Sequence, residues 1–309
     1  MAVYGDSIGK ETGRREHPVR FPEASKQPVE SVLAWGVLNR RDLPWRHTRD
    51  PWAIIVAELM LQQTQVDRVV PKYHAFLERF PTPAMCSAAP LSDVLRLWQG
   101  LGYPRRARAL HEIAHAVTAN SRRVLPDTLE GLLALPGIGP YTARAVLAFA
   151  YEHHGTGVVD TNIGRVLARW AGRKLSTAEA QQLANDLVPE RATWAWNQSM
   201  MDVGALVCRS REPNCAACPL ATRCAWLEAG GPDPAQGSAG VSSPQKRFSG
   251  SDRQGRGRVL LALHRGPLSP ADLRTSIGTT DDDRAARIIA SLIKDQLLQQ
   301  VDGRYSLSD

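Results

Sequence analysis

A chain of 309 residues, 43% of them hydrophobic, has room for two compact domains and a small third, with enough apolar residues to bury a core. A net charge of +7 points toward a polyanionic partner. Only six of the 38 basic residues are lysine; guanidinium forks suit phosphate oxygens, although a GC-rich genome also favours arginine. No uninterrupted apolar run reaches the ~18–20 residues of a membrane span, and the opening MAVYGDSIGKETGRREH lacks the apolar centre of a signal peptide. A cytoplasmic protein is therefore expected. Four of the five cysteines crowd between positions 208 and 224, which argues for metal or cluster binding and against a secreted disulfide framework.

In chain order, residues 1–27 are polar without sustained period and predict a disordered tail. A helix is predicted over Val29–Arg40. It is broken by RRDLPWRHTRDPW, where Trp45 is bracketed by Arg41, Arg46 and Arg49. The run Ala53–Gln65 is apolar nearly all round in its first half and predicts a largely buried helix. Val66–Phe80 and Leu91–Gln99 continue the helical pattern, and GLGYPRRARALHEIAHAV reads as a Gly-rich turn feeding a basic helix. The stretch LLALPGIGPYTARAVLAFA is a helix end, a tight turn and a second helix. Gly137 and Gly139 flank Ile138, a pattern that lets the backbone turn and leaves N–H groups at a helix N-terminus, where an anion can sit; an ordinary helix–turn–helix corner would look the same. Thr177–Leu187 and Thr193–Val207 lead, as helices, into the cysteines. With no alternating strand pattern before residue 255, the main body is predicted all-α. Gly, Ser, Pro and Gln over 229–257 predict a linker. Beyond it, helices at Arg258–His264, after Ser269-Pro270 and over Asp281–Leu298, then a hairpin turning at Asp302-Gly303, predict a small winged-helix-like module.

Three features carry chemistry. The cysteines Cys208, Cys215, Cys218 and Cys224 follow C-x6-C-x2-C-x5-C. Four thiolates in one short loop suit zinc or an iron–sulfur cluster, and the wide first gap is unlike a zinc ribbon's paired CxxC. Cys86 is expected to be a small buried hydrophobe. Glu58 lies mid-helix in IIVAELML, where burial would raise its pKa toward that of a general acid; a structural carboxylate paired with a nearby arginine is the competing reading. Asp160 follows Val158-Val159 and precedes TNIGRVLARW, an N-cap position that favours an anion and equally suits stabilisation of positive charge.

LPGIGPYTARAV followed by VVDTN resembles the helix–hairpin–helix and aspartate of the endonuclease III superfamily of DNA glycosylases, whose [4Fe–4S] loop shares the cysteine spacing. Within it, RRDLPWR, ELMLQQTQV and LGYPRRAR resemble the adenine DNA glycosylases, and the tail resembles that of an actinobacterial branch. The match spans residues 30–228. It implies an iron–sulfur helical domain from 28–48 and 153–228 and a six-helix domain over 49–152; the module over 258–309, read from its own pattern as winged-helix-like, could equally be a helical packing appendage without nucleic-acid contact.

The resemblance further implies a monomer acting on mismatched double-stranded DNA, removing adenine mispaired with 8-oxoguanine or guanine after flipping it from the stack. Glu58 would protonate the base and position water, and Asp160 would stabilise the sugar cation, with Asn162 in the same site. Tyr141 matches the position where bifunctional relatives carry a Schiff-base lysine, which implies base removal without strand cleavage. Gly137 and Gly139 would bind a backbone phosphate, Gln62 and Gln63 would lie at the gap left by the flipped base, and Tyr103 would wedge beside the opposite base. Arg41, Leu43, Trp45 and Arg46 would wall the adenine pocket, although Trp45 suits core packing equally. Asp202 would accept from adenine's amino group, with a surface or helix-end carboxylate as the equal alternative. Many members carry a Nudix-like domain with an FSH-type motif. Here Phe248-Ser249 precedes Gly250 and the tail is short, so opposite-base recognition is left open. A thymine–guanine glycosylase on the same scaffold and a non-catalytic mismatch binder are the competing functions.

Overall fold

The computed structural model describes residues 26–309 except 122–123, 239 and 242–246; the tail predicted over 1–27 lies almost wholly outside the described residues. The helices are α1 (Lys26–Asn39), α2 (Pro51–Leu61), α3 (Val66–Arg79), α4 (Pro83–Ser87), α5 (Leu91–Trp98), α6 (Arg105–Ala119), α7 (Leu129–Leu133), α8 (Pro140–Phe149), α9 (Thr161–Ala171), α10 (Thr177–Asp186), α11 (Thr193–Asp202) and α12 (Ala225–Ala229). A 3₁₀ turn, Pro44–Arg46, precedes α2, and a π-helical turn, Val203–Val207, continues α11. The tail adds α13 (Asp252–Leu263), α14 (Pro270–Ile277), α15 (Asp282–Lys294) and the strands β1 (Leu298–Val301) and β2 (Arg304–Leu307).

Local chemistry explains the boundaries that matter. Asp50 caps α2 by accepting from the Trp52 amide at 3.0 Å, with Pro51 at the first helical position, where its missing N–H costs nothing. The next nine residues, Trp52–Met60, are all buried, Glu58 among them. α10 opens on a reciprocal capping box between Ser176 and Glu179. In the hairpin, Leu298 pairs with Leu307 and Val301 with Arg304; Asp302 and Gly303 both carry positive φ, as a two-residue turn between twisted strands demands.

Two apolar clusters result. One joins α2–α8 and runs on into the core of the tail module through Val259, Leu263, Leu292 and Leu307. The other gathers Val32 of α1 with α9, α10, α11 and Leu220. Three expectations shift. Leu43 and Trp45, grouped by sequence with the cysteine-bearing domain, pack into the first cluster. The segment expected to be a free linker is partly bound: Ala235 and Ser238 are buried, and Asp233 pairs with Arg169 at 2.6 Å. Finally, α13 begins six residues before Arg258. Gly255 lowers helix propensity there but admits Ile288 and Ile277, since a Cβ at that position would stand 2.8 Å from Ile288 Cδ1.

Candidate active site

Glu58 is 5% exposed. The Tyr141 hydroxyl, in the first turn of α8, donates to Glu58 Oε2 at 2.8 Å, and among the described residues Oε1 has no hydrogen-bond partner. Burial drives the Glu58 pKa up to about 7; the Tyr141 hydrogen bond pulls it down and the Asp160 charge pushes it up. Burial and the two carboxylates hold the Tyr141 phenol well above its usual pKa, so it stays a donor. The structural alternative for Glu58, an arginine partner, is not what the fold provides.

Asp160 is the N-cap of α9. Its Oδ1 accepts from the amides of Asn162 (3.0 Å) and Ile163 (2.7 Å), and its Oδ2 from Asn162 Nδ2 (2.8 Å). Burial raises its pKa above the ordinary carboxylate value, against the pull of those hydrogen bonds and of Arg165. The cap alone does not keep it as acidic as the sequence suggested. Behind it stands Arg165, 7% exposed, which donates to Asn162 Oδ1 (2.9 Å), Gly204 O (2.7 Å) and Cys208 O (2.7 Å). Arg165 therefore ties the aspartate's neighbour to the first cysteine of the loop. Gly204 makes this approach possible: a Cβ there would come within 2.6 Å of Asn162 Cβ.

Sequence reasoning singled out neither Arg165 nor Arg106, and Arg106 organises the other side. It is 8% exposed, with a pKa lowered by burial to about 10, so it remains charged at neutral pH. Its guanidinium donates to the carbonyls of Gln62 (2.7 Å), Leu101 (3.0 Å) and Gly102 (3.0 Å). One buried arginine thus holds the Gln62–Gln63 corner against the loop bearing Tyr103. The available signal was LGYPRRAR itself, read as a basic helix start and as a family motif without assigning Arg106 a role. Gln62 also reaches Thr142 beside Tyr141 at 3.2 Å. Gly137, at φ +69°, faces Ala109 of α6, and Gly139 opens α8 without any side-chain cap, leaving first-turn amides for an outside acceptor.

One expectation needs correcting. Asp202 is fully buried and its acceptor capacity is taken. Arg41 N (2.9 Å) and Arg46 Nη1 (2.6 Å) donate to Oδ2, and Arg41 Nε (2.7 Å) and Arg46 Nη2 (3.1 Å) donate to Oδ1. Burial would raise its pKa, but the two arginines more than reverse that. Asp202 is therefore an anchor for Arg46 and not an acceptor facing a pocket. Trp45, 5% exposed, packs edge-on to Tyr73 with ring centroids 5.5 Å apart, the core-packing alternative. Leu43 is likewise buried.

Cys208, Cys215, Cys218 and Cys224 line one cavity with Arg169 and Trp226. Arg169 Nη1 lies 3.4 Å from Cys208 Sγ, a donor suited to a thiolate. Burial raises the Cys208 and Cys224 thiols and takes Cys218 up to about 11, so without a metal these sulfurs would stay protonated. Among the described residues no three of His, Cys, Asp or Glu are set to hold a single ion. Four sulfurs around one shared space are the donor set that a metal or a cluster would take. Cys86 is buried, as expected.

Residues 56–190 match the family described as HhH-GPD superfamily base excision DNA repair protein, a span that holds Glu58, Tyr141 and Asp160. Over 292 residues the chain is 41% identical to the adenine DNA glycosylase of Mycolicibacterium smegmatis, covering 92% of this chain and 97% of that one. This chain belongs to the adenine DNA glycosylase family. A second such adenine DNA glycosylase, from Mycobacterium tuberculosis, is 42% identical over 90% of this chain and 92% of its own. The human adenine DNA glycosylase is 39% identical over 63% of this chain and 38% of its own length. Among solved structures, a thermostable thymine-DNA glycosylase superposes with a TM-score of 0.62 at 29% identity, covering 67% of this chain and 98% of that one. An endonuclease III–DNA covalent intermediate gives 0.59 at 21%, covering 67% and 97%, a likeness of fold alone. The mycobacterial likenesses extend over nearly the whole chain, whereas the thymine enzyme matches two-thirds of it. No helix among the described residues is long and apolar enough to cross a membrane.

Proposed function

We propose that this adenine DNA glycosylase acts as a monomer that hydrolyses the N-glycosidic bond of adenine mispaired with 8-oxoguanine or guanine in double-stranded DNA, leaving the strand intact. The observation that carries this reading is Glu58, a buried carboxyl with a pKa of about 7, held at 2.8 Å by Tyr141 and electrostatically coupled to Asp160. A carboxyl poised there gives up a proton near neutral pH. Donated to a ring nitrogen of a flipped adenine, that proton makes the base a neutral leaving group. The sugar left behind carries positive charge, which an anionic Asp160 stabilises from a fixed position until water adds at the anomeric carbon and gives its proton to the now ionised Glu58. Hydrogen-bonded Asn162 and Arg165 hold that carboxylate in place. Tyr141 offers no amine to trap the sugar as a Schiff base, hence base removal alone.

The surroundings support the same reading. Arg46 Nε is buried without a partner among the described residues, and a ring nitrogen of adenine is an acceptor that would satisfy it. The Gly137–Gly139 turn would take a backbone phosphate. Gln62, Gln63 and Tyr103, braced by Arg106, would fill and flank the gap in the duplex. The discriminating experiment incubates the protein with duplexes carrying A opposite 8-oxoguanine, A opposite G and T opposite G, then cleaves abasic sites with alkali. Breaks confined to A-containing strands are expected. Breaks only in T-containing strands would replace this function with thymine excision, and none anywhere would leave a mismatch binder. Strand breaks without alkali would contradict the monofunctional assignment.

The four cysteines would hold a [4Fe–4S] cluster, which when bound cross-links the loop through four thiolates. Arg169 would compensate its charge, and through Arg165 the loop would fix the Asn162 end of the site. We expect brown protein, and we expect Cys215→Ser to lose both the colour and cooperative folding, because cluster binding is part of the folding free energy. Colourless, folded protein with stoichiometric zinc would refute the assignment.

A further inference from the structure

The loop from Arg40 to Arg49 is where the chain leaves one apolar cluster for the other: Val32 of α1 lies in the second, Trp45 and Trp52 in the first. The loop carries four arginines, and α11 holds all of them. Asp202, at the end of that helix, takes Arg41 and Arg46 by charge. Trp194, in its first turn, takes the outer two. The guanidinium carbons of Arg40 and Arg49 lie over its ring, 5.1 and 4.3 Å from the centroid. The two anchors stand about 12 Å apart along the helix, at 1.5 Å per residue.

A buried indole ordinarily finds an acceptor for its N–H. Trp194 Nε1 is buried without one among the described residues, so the ring is fixed by packing against the first cluster and by the two cations. Arg49 also pairs with Glu152 at 2.6 Å, but these side chains are 40% and 46% exposed, a setting in which an ion pair contributes little. Arg40 reaches the Ser199 hydroxyl at 3.4 Å. The aromatic ring is therefore the contact that both ends of the loop share. From there the linkage runs inward: Arg49 Nη1 donates to Arg46 O at 3.4 Å, and Arg46 Nη1 to Arg41 O at 2.8 Å.

We propose that Trp194 is a positioning residue for the wall of the base pocket: by holding both ends of the 40–49 loop, it sets where Arg46 presents its unpartnered Nε. The inference rests on the adenine-excision reading and deepens it. Asp202 fixes the plane of the Arg46 guanidinium through both Nη atoms. The place of Nε along the stem follows the backbone instead, and the backbone here has only one 3₁₀ turn to stiffen it. A donor displaced by about 1 Å loses its alignment with a bound base. Two cation–π contacts from the loop ends supply the missing stiffness.

The test uses the full-length, cluster-loaded protein. Equilibrium binding is measured to two duplexes that differ at one nucleotide, a non-hydrolysable adenine analogue in one and a stable abasic analogue in the other. In Trp194→Leu and Arg49→Met the preference for the adenine duplex should fall about threefold to thirtyfold, the range that one cation–π contact covers. Single-turnover excision should fall in parallel. Trp194→Phe keeps an aromatic face and should retain most of the preference, as should Glu152→Gln, which removes the ion pair and leaves the ring. Arg49 is half exposed, so its variant decides the matter even if Trp194→Leu fails to fold. A parent that prefers the adenine duplex but excises nothing would count against the activity alone; a parent with no such preference would overturn the pocket wall as well. An unchanged preference in Trp194→Leu and Arg49→Met, a loss equal on both duplexes, or no rescue by phenylalanine would each overturn the proposal.

Discussion

Glu58→Gln is expected to slow adenine release by roughly 10²–10⁴-fold, the range a positioned general acid supplies, while binding of the mismatched duplex is kept. Glutamine is near-isosteric and its carbonyl still accepts from Tyr141, so the packing of α2 is undisturbed; what disappears is the titratable proton. The parent's pH dependence should share this origin. With its pKa raised to about 7, Glu58 is protonated and competent below that pH. The excision rate should then fall as pH rises through it, by about tenfold per unit once the acid form is the minor one. On the acid side the rate falls as Asp160, itself raised by burial, loses its charge, giving a bell. Single-turnover rates across the neutral range test both statements. If Glu58→Gln keeps most of the parent rate, or its alkaline limb persists unchanged, the proton comes from elsewhere.

Asp160→Asn should be nearly as damaging, with roughly a 10²–10³-fold loss of excision, the scale on which one preorganised electrostatic contact acts. This variant separates two roles that sequence alone leaves superimposed. Asparagine caps helices about as well as aspartate and can still accept from the Asn162 and Ile163 amides, losing only the Asn162 Nδ2 bond to Oδ2, so thermal stability should fall little beside the loss of excision. The negative charge, however, is gone. Excision and gel-shift affinity, measured side by side with a melting curve, decide between the roles. Lost activity with intact binding and melting marks a charge that acts on the reaction. Parallel collapse of all three would mark Asp160 as chiefly a cap.

The two carboxylates were legible because each violates its surroundings in a recognisable way: Glu58 is the only charged residue in a buried apolar run, and Asp160 stands where the polypeptide turns into a helix. The cysteine loop was legible from spacing. The buried arginines were not. Arg106 and Arg165 sit in segments that look basic and exposed, and only the tertiary fold shows them donating to carbonyls of three different loops. Asp202 was misjudged for the same reason, since its partners Arg41 and Arg46 lie about 160 positions earlier. The short helix Pro83–Ser87 was hidden by Pro81 and Pro83, the second of which occupies the first helical position, where it is harmless. Glycines concealed the start of α13, because a residue that is poor for an isolated helix is well suited to a tight helix crossing.

The π-helical turn at Val203–Val207 makes the spacing of the site a matter of phase. A turn of this kind holds one residue more than an α-turn, and the Cys208 amide closes it by donating to Val203 O at 2.7 Å. Removing any one of these five residues would let α11 run on in α register and rotate everything after it by about 100°. Gly204 would leave its seat against Asn162, and Cys208 would turn from the other three cysteines, although every side chain named in the chemistry were still present. In this stretch the length of the chain constrains the enzyme more tightly than the identity of most residues within it.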